Sequence, residues 1–179
     1  AAMSNYLLIL LLLRGPIYRL TVSYQTVGDR ALSQLPAGEL YPAAQAWAVA
    51  HPNASVQQIS RFATRKTAAE LSFVARAIPS DPATTLRLSK ANCVGYSRLY
   101  GAIVAAIIAN LPPERQLTQQ HLMGKIKVFG YDLHQLTSTP FWADHDFNCL
   151  ADLATGETVC SDPTLNDYLG IRMVSRSAK

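Results

Sequence analysis

The hydrophobic and polar positions of this chain change their pattern at mid-length, from helical spacing to strand alternation. At the start, Tyr6 to Leu13 (YLLILLLL) is an uninterrupted apolar run that stops at Arg14-Gly15-Pro16. Eight residues are too few to span a bilayer, which takes about 20 in a helix. No basic stretch precedes the run and no small-residue cleavage site follows it. It is therefore either the remnant of a signal sequence or membrane anchor, able to associate with a membrane, or a first helix buried in the core or against a partner chain. Ile17 to Gln25 alternates, with Tyr18, Leu20, Val22 and Tyr24 on one side, and predicts a strand or extended entry segment. Pro36 to Ala50 predicts an Ala-rich helix around Pro42, ended by His51-Pro52-Asn53. Ser55 with Gln58, and Thr67 with Glu70, have the spacing of capping boxes. They predict two short helices, with Ile59 and Phe62, then Leu71, Phe73 and Val74, on their buried faces. Pro79-Ser80-Asp81-Pro82 predicts a loop.

The second half opens on Asn92-Cys93-Val94-Gly95-Tyr96-Ser97, followed by a strongly apolar stretch to Ile108 that Asn110 and Pro112-Pro113 terminate. Asn92 is a good N-cap, so Cys93 is expected in the first turn of a long buried helix. There the unpaired backbone amides favour a thiolate. Gly95 permits another backbone or a substrate to approach closely. The stripe Leu99, Ile103, Ile107, with Val104 and Ile108, reads as core.

Further on, Phe141 to Asp152 and Glu157 to Thr164 flank Leu153-Ala154-Thr155-Gly156, which has hairpin composition. If the hairpin closes about Ala154-Thr155, Asp152 faces Glu157, Cys149 faces Cys160, Phe147 faces Asp162 and His145 faces Thr164. One side of the strands then carries His145, Phe147, Cys149, Ala151, Thr158, Cys160, Asp162 and Thr164. The other, polar side carries Asp146, Asn148, Asp152, Glu157 and Ser161 and is expected to face outward. In this register His145 and Asp162 are diagonal neighbours, about 7 Å apart at Cα, within reach of an imidazole–carboxylate contact. A slip of one residue would separate them onto opposite faces.

Composition narrows the class without naming a chemistry. At 179 residues a single domain buries roughly 70% of its unfolded surface. With 49% hydrophobic and 16% charged residues, disorder is excluded. No repeat, low-complexity tract or long linker divides the chain, so residues 17–179 are expected to form one domain behind the apolar segment 1–16. The net charge is +4, but the longest basic run is Arg65-Lys66, which does not make a nucleic-acid footprint. Three is an odd cysteine count, so if two pair, one thiol is left over to explain. Cys149 and Cys160 are either a cross-strand disulfide or two reduced core thiols, and the expectation leans to reduced thiols because nothing in the sequence proves export. No Cys-x-x-Cys knuckle accompanies them, and Asp162 accounts for His145 better than a metal does, so neither zinc nor another cofactor is expected. His51, His121 and His134 read as surface or loop histidines. Trp142 is a core anchor or a wall of a substrate cleft.

Cysteine, histidine and aspartate in this order have a chemical reason to converge. A thiol needs a base to hold it as thiolate, and the imidazole needs a carboxylate on its other nitrogen to fix its tautomer. Asn92-Cys93-Val94-Gly95-Tyr96-Ser97 at a helix start, Gly124 to Gly130 (GKIKVFG) as a following strand, His145 on the next strand, and Asp162-Pro163-Thr164 beyond a Thr155-Gly156 turn resemble the transglutaminase-like superfamily. The resemblance covers about residues 55 to 170. It departs from the family pattern at His145-Asp146-Phe147, where His-Ala-Trp is usual, and at Ser89-Lys90, where a glycine is common. What it implies is an α+β, papain-like core, with a helical first half whose nucleophile stands at a helix N-terminus against an antiparallel sheet. It also implies Cys93 as nucleophile, His145 as general base and acid, and Asp162 as orienting carboxylate; Asn92 and Trp142, by their places beside Cys93 and His145, are the candidates to line the substrate or its oxyanion. The expected activity is hydrolysis of a peptide, isopeptide or other amide in a peptide or protein substrate, as in a cysteine protease, or acyl transfer to an amine. The alternative is a non-catalytic binding or scaffold module on the same fold.

Overall fold

A computed structural model describes residues 13–136 and 143–177. Most of the apolar run at 6–13, the Trp142 side chain, and the part of the Asp132–Pro140 loop from 137 onward lie outside the described residues. Among the described residues no helix is long and apolar enough to cross a membrane.

The protein is an α+β fold. Helix α1 runs through residues 13–21 and passes directly into strand β1, Val22–Arg30. The strand expected over Ile17–Gln25 is thus corrected to a helix followed by a strand. Only Val22 and Tyr24 of the alternating set are buried, while Leu20 is 86% exposed and Thr21 bonds back one turn to the Ile17 carbonyl at 2.9 Å. Helices α2, Leu40–Ala50, and α3, Val56–Glu70, follow. The Ser55–Gln58 capping box forms in both directions, at 2.9 and 3.3 Å. The box expected at Thr67–Glu70 does not. With no glycine or proline between Ser55 and Glu70, α3 continues as one helix, and the Thr64 and Thr67 hydroxyls bond back to the Ser60 and Ala63 carbonyls. Leu71, Phe73 and Val74 lie beyond it, around the short strand β2, Ser72–Phe73.

Asp81 closes the predicted loop by capping α4, Pro82–Leu88, with its side chain on the Thr84 amide at 2.9 Å. Strand β3, Lys90–Ala91, pairs parallel with β2 and leads straight into α5, Cys93–Ile108. The start of α5 is therefore anchored by a two-stranded sheet and a capped helix. Along its length Leu99, Ile103 and Ile107 are at most 1% exposed. Each contributes roughly 1.5–3 kcal/mol by burial, which makes α5 the spine of the core.

The main sheet is formed by β1 with β4, Leu117–Val128; β5, Tyr131–Asp132; β6, His145–Asp152; β7, Thr158–Ser161; and β8, Arg176–Ser177. Its order is β7-β6-β4-β1-β8 with β5 beside β4, antiparallel except for β1–β8. The strand expected over 124–130 starts earlier and ends at Val128, because Phe129 and Gly130 take positive φ to turn into β5. The hairpin closes as the sequence predicts. Cys149 pairs with Cys160, and the Asp152 amide donates to the Glu157 carbonyl at 2.9 Å.

Both faces of the sheet are covered. Val22, Tyr24, Leu122, Phe147, Cys149 and Cys160 pack with Tyr18 of α1 and with Leu165 of helix α6, Pro163–Leu169. Leu150 and Val159 join the core under α3 and α5. At three of its five positions the polar side of the hairpin therefore does not face water: Asp146, Asn148 and Ser161 are at most 2% exposed, while Asp152 and Glu157 are half-buried. Each of the three is satisfied inside, Asn148 by the Ser97 carbonyl of α5 at 3.1 Å and Ser161 by Ser60 of α3 at 2.6 Å. Cys149 and Cys160 are disulfide-bonded, which corrects the expectation of two reduced thiols. Direct cross-strand opposition in the register supplies the closeness that a disulfide needs.

Candidate functional site

Cys93 is the free cysteine among the described residues, buried at 8% exposure in the first turn of α5. Asn92 caps that helix by accepting from the Gly95 amide at 3.2 Å, and its own amide donates to the Arg76 carbonyl at 3.2 Å. These bonds make Asn92 a fixed support for the helix start. Gly95 serves an internal approach. A Cβ there would stand 2.7 Å from the Ala91 Cβ, so glycine lets α5 close onto β3 and α4.

His145 is the first residue of β6, with its side chain 16% exposed. Its Nε2 lies 2.7 Å from Asp162 Oδ2, which leaves Nδ1 for a second partner. Burial disfavours the imidazolium, but the Asp162 charge and hydrogen bond, followed by those of the Cys93 thiol, outweigh it and raise the His145 pKa well above its ordinary value. The structure thus joins His145 to Asp162, as the hairpin register predicts, and leaves the Cys93 thiol within electrostatic reach of the imidazole.

Asp162 is used at both oxygens. The Asp-Pro-Thr stretch is a helix start as well as a site motif: Asp162 is the N-cap of α6 with Pro163 at the first helical position. Oδ1 accepts the Leu165 amide at 3.0 Å, and Oδ2 accepts the Tyr24 hydroxyl at 2.8 Å besides His145. Burial raises the carboxyl's pKa; His145 and these donors more than offset it, so the group stays below the ordinary carboxylate range.

Tyr24 is a residue that the sequence reading placed only in an alternating strand. It is wholly buried, its ring stands edge-on to Phe147 at 5.0 Å, and its hydroxyl is 2.9 Å from that of Tyr18. No sequence signal marks it except its period-two position on a strand whose partner was not yet identified. Phe147 thereby supplies aromatic packing on the His145 side of β6, by way of Tyr24.

The opposite side of β6 carries a second polar cluster. Asp146 Oδ1 accepts from Arg30 Nε at 2.5 Å and meets His121 Nε2 at 2.9 Å, while Oδ2 accepts from Arg30 Nη2 at 3.2 Å. A β-bulge between Thr26 and Gly28 places Arg30 there. The extra residue shifts β1 by one, so that Arg30 faces His121 and joins the side of Asp146. His121, expected at the surface, is 2% exposed because this carboxylate holds it. His51 is exposed as expected, stacked on Trp47 at 4.6 Å. Elsewhere, a cavity of about 480 Å³ opens between Pro36–Leu40, Lys66, Glu70 and Leu86, lined by none of Cys93, His145 and Asp162.

No family model, curated protein or solved structure matches this chain.

Proposed function

We propose that Cys93, His145 and Asp162 are the nucleophile, the general acid–base and the orienting carboxylate of a thiol-dependent amidase on a papain-like variant of this α+β fold, resembling transglutaminase-like enzymes. The observation that carries the reading is one imidazole held at Nε2 by a buried carboxylate, with a thiol at a helix start near enough to act on its charge. Two features of that arrangement favour chemistry over mere packing. The raised His145 pKa keeps an imidazolium available to stabilise a thiolate near neutrality. The first turn of α5 sets the thiol beside unpaired backbone amides.

The thiolate attacks the carbonyl carbon of a peptide or other amide, and the carbonyl electron pair moves onto oxygen, where the Cys93 backbone amide is the first donor. His145 gives its proton to the departing amine nitrogen as the C–N bond breaks, leaving a thioester. Neutral His145 then takes a proton from water, hydroxide adds to the thioester carbon, and the carboxylic acid leaves as the thiol is restored. Replacing water by an amine gives acyl transfer. Hydrolysis is the default, since water needs no dedicated acceptor site. The hairpin disulfide favours an exported or membrane-anchored enzyme over a cytoplasmic one.

The test is alkylation of Cys93 by iodoacetamide at pH 6. An ordinary thiol is only about 0.3% ionised there. Wild-type protein is expected to label about tenfold faster than His145→Ala, and Cys93→Ser is expected to lose the label. Equal rates in wild type and His145→Ala would mean that no thiolate–imidazolium pair exists, leaving a binding module.

A further inference from the structure

We propose that Tyr24, with Tyr18 behind it, is a positioning residue of this site: their two hydroxyls form a donor chain that ends on the Asp162 oxygen facing His145, which makes the N-terminal helix part of the catalytic apparatus. The inference deepens the function proposed above and rests on it.

The chain of atoms is continuous. Tyr18 Oη lies 2.9 Å from Tyr24 Oη, Tyr24 donates to Asp162 Oδ2 at 2.8 Å, and the same oxygen lies 2.7 Å from His145 Nε2. Because Tyr24 has one hydroxyl proton and gives it to the carboxylate, its oxygen accepts the Tyr18 proton. Tyr24 cannot swing away, since its ring is wedged edge-on between Phe147 at 5.0 Å and His145 at 6.0 Å. Packing alone does not require that hydroxyl. A phenylalanine would fill the same space without burying a polar group, and a buried hydroxyl is tolerated only because it is bonded. Two donors on one oxygen also share its electron density, so Tyr24 competes with His145 for Oδ2. Tyr24 therefore limits how strongly Asp162 holds the imidazolium proton, besides fixing the direction in which it is held. Tyr18 strengthens Tyr24 as a donor, and Tyr18 belongs to α1, the helix that leads out of the apolar N-terminal run. The titratable groups around the carboxylate are His145 from β6, Tyr24 from β1 and Tyr18 from α1, with Cys93 of α5 beyond the imidazole.

The sign of the effect distinguishes tuning from loosening. Removing the Tyr24 hydroxyl leaves His145 as the sole side-chain donor on Oδ2 among the described residues, so the imidazolium is held more firmly. In Tyr24→Phe the His145 titration, followed by imidazole NMR and assigned with His145→Gln, is expected to move up by on the order of half a pH unit. Tyr18→Phe is expected to move it in the same direction by less. The double variant is expected to match Tyr24→Phe, because Tyr18 acts only through Tyr24. Should Tyr24→Phe not fold, the half-buried Tyr18→Phe carries the same prediction at smaller amplitude. An unmoved or lowered titration, or additive effects in the double variant, overturns the positioning role while the alkylation contrast of His145→Ala leaves the function standing. Equal alkylation of wild type and His145→Ala overturns the function and this role with it.

Discussion

His145 and Asp146 are neighbours on β6 that point to opposite faces, and each belongs to a buried carboxylate–imidazole pair. On one face Asp162 holds His145; on the other Asp146 holds His121. The distances are nearly equal, 2.7 and 2.9 Å, so geometry alone does not separate them. What separates them is who else neutralises the carboxylate. Asp146 carries the fork of Arg30, a cation that does not titrate, and its charge is balanced before His121 arrives. Among the described residues Asp162 has, besides His145, a phenol and a backbone amide, so the positive charge it favours comes from His145 itself. Access follows the same division: the His145 side chain is 16% exposed beside a thiol, and that of His121 is 1% exposed. In the proposed reaction it is the carboxylate without a fixed cation that supports the base, His145.

The largest stability effect is expected on the Arg30 side. Asp146→Ala strips the guanidinium and the His121 ring of their common partner, and breaking a buried pair in this way costs 3–5 kcal/mol. Arg30 keeps 29% side-chain exposure, so the loss should fall near about 3 kcal/mol in urea unfolding. The folded fraction should still alkylate at pH 6 like wild type. Loss of that reactivity would show that the two pairs act as one network. The hairpin disulfide comes next. Replacing both Cys149 and Cys160 by alanine releases a loop with a sequence separation of 11, a loss of about 2–3 kcal/mol. Because the staple fixes the register that sets His145 against Asp162, the cost should appear in both stability and pH 6 labelling. On the other side, Asp162→Asn keeps a good N-cap for α6, so it should cost only about 1 kcal/mol. Its pH 6 labelling of Cys93 should nevertheless fall several-fold. Asp146 and Asp162 thus divide stability from reactivity, and equal behaviour of the two variants would erase the distinction.

The legible parts of the site were those written in local spacing. Asn92 capping α5, the Cys149–Cys160 opposition and the His145–Asp162 diagonal follow from helix-start chemistry and period-two alternation, which operate over a few residues. The second cluster was hidden for a specific reason. Arg30, His121 and Asp146 lie on three strands far apart in sequence, and a bulge at Thr26–Gly28 brings Arg30 to the correct side. A bulge is invisible to alternation counted along one strand. The same limit explains why the polar edge Asp146, Asn148 and Ser161 reads as solvent-facing: a sheet covered on both faces satisfies such groups internally, and only the partners, Arg30, Ser97 and Ser60, reveal it. Tyr18 and Tyr24 misled for the opposite reason, since one alternation bridged a helix and a strand.

The smallest effects, those of pH on stability, bear on the contrast because the shifts of the carboxyls and of His145 have opposite signs. Both carboxyls are held below their ordinary range, Asp146 by the His121 and Arg30 hydrogen bonds against the cost of burial, and Asp162 by His145. Each therefore contributes stability above the ordinary carboxylate value of about 3.9, and that contribution fades as pH falls below it. His145 is shifted the other way. Its contribution is complete below its unfolded value of about 6.5 and is lost as pH rises through the higher folded value. Arg30 does not titrate in this interval, so the Arg30–Asp146 ion pair keeps its strength at alkaline pH. Urea midpoints measured from pH 4 to 9 should thus decline on the alkaline side in wild type and in Asp146→Asn, and flatten in Asp162→Asn. An alkaline slope that survives Asp162→Asn would mean that the His145 proton is held by some other group, and the contrast between the two faces would lose its physical basis.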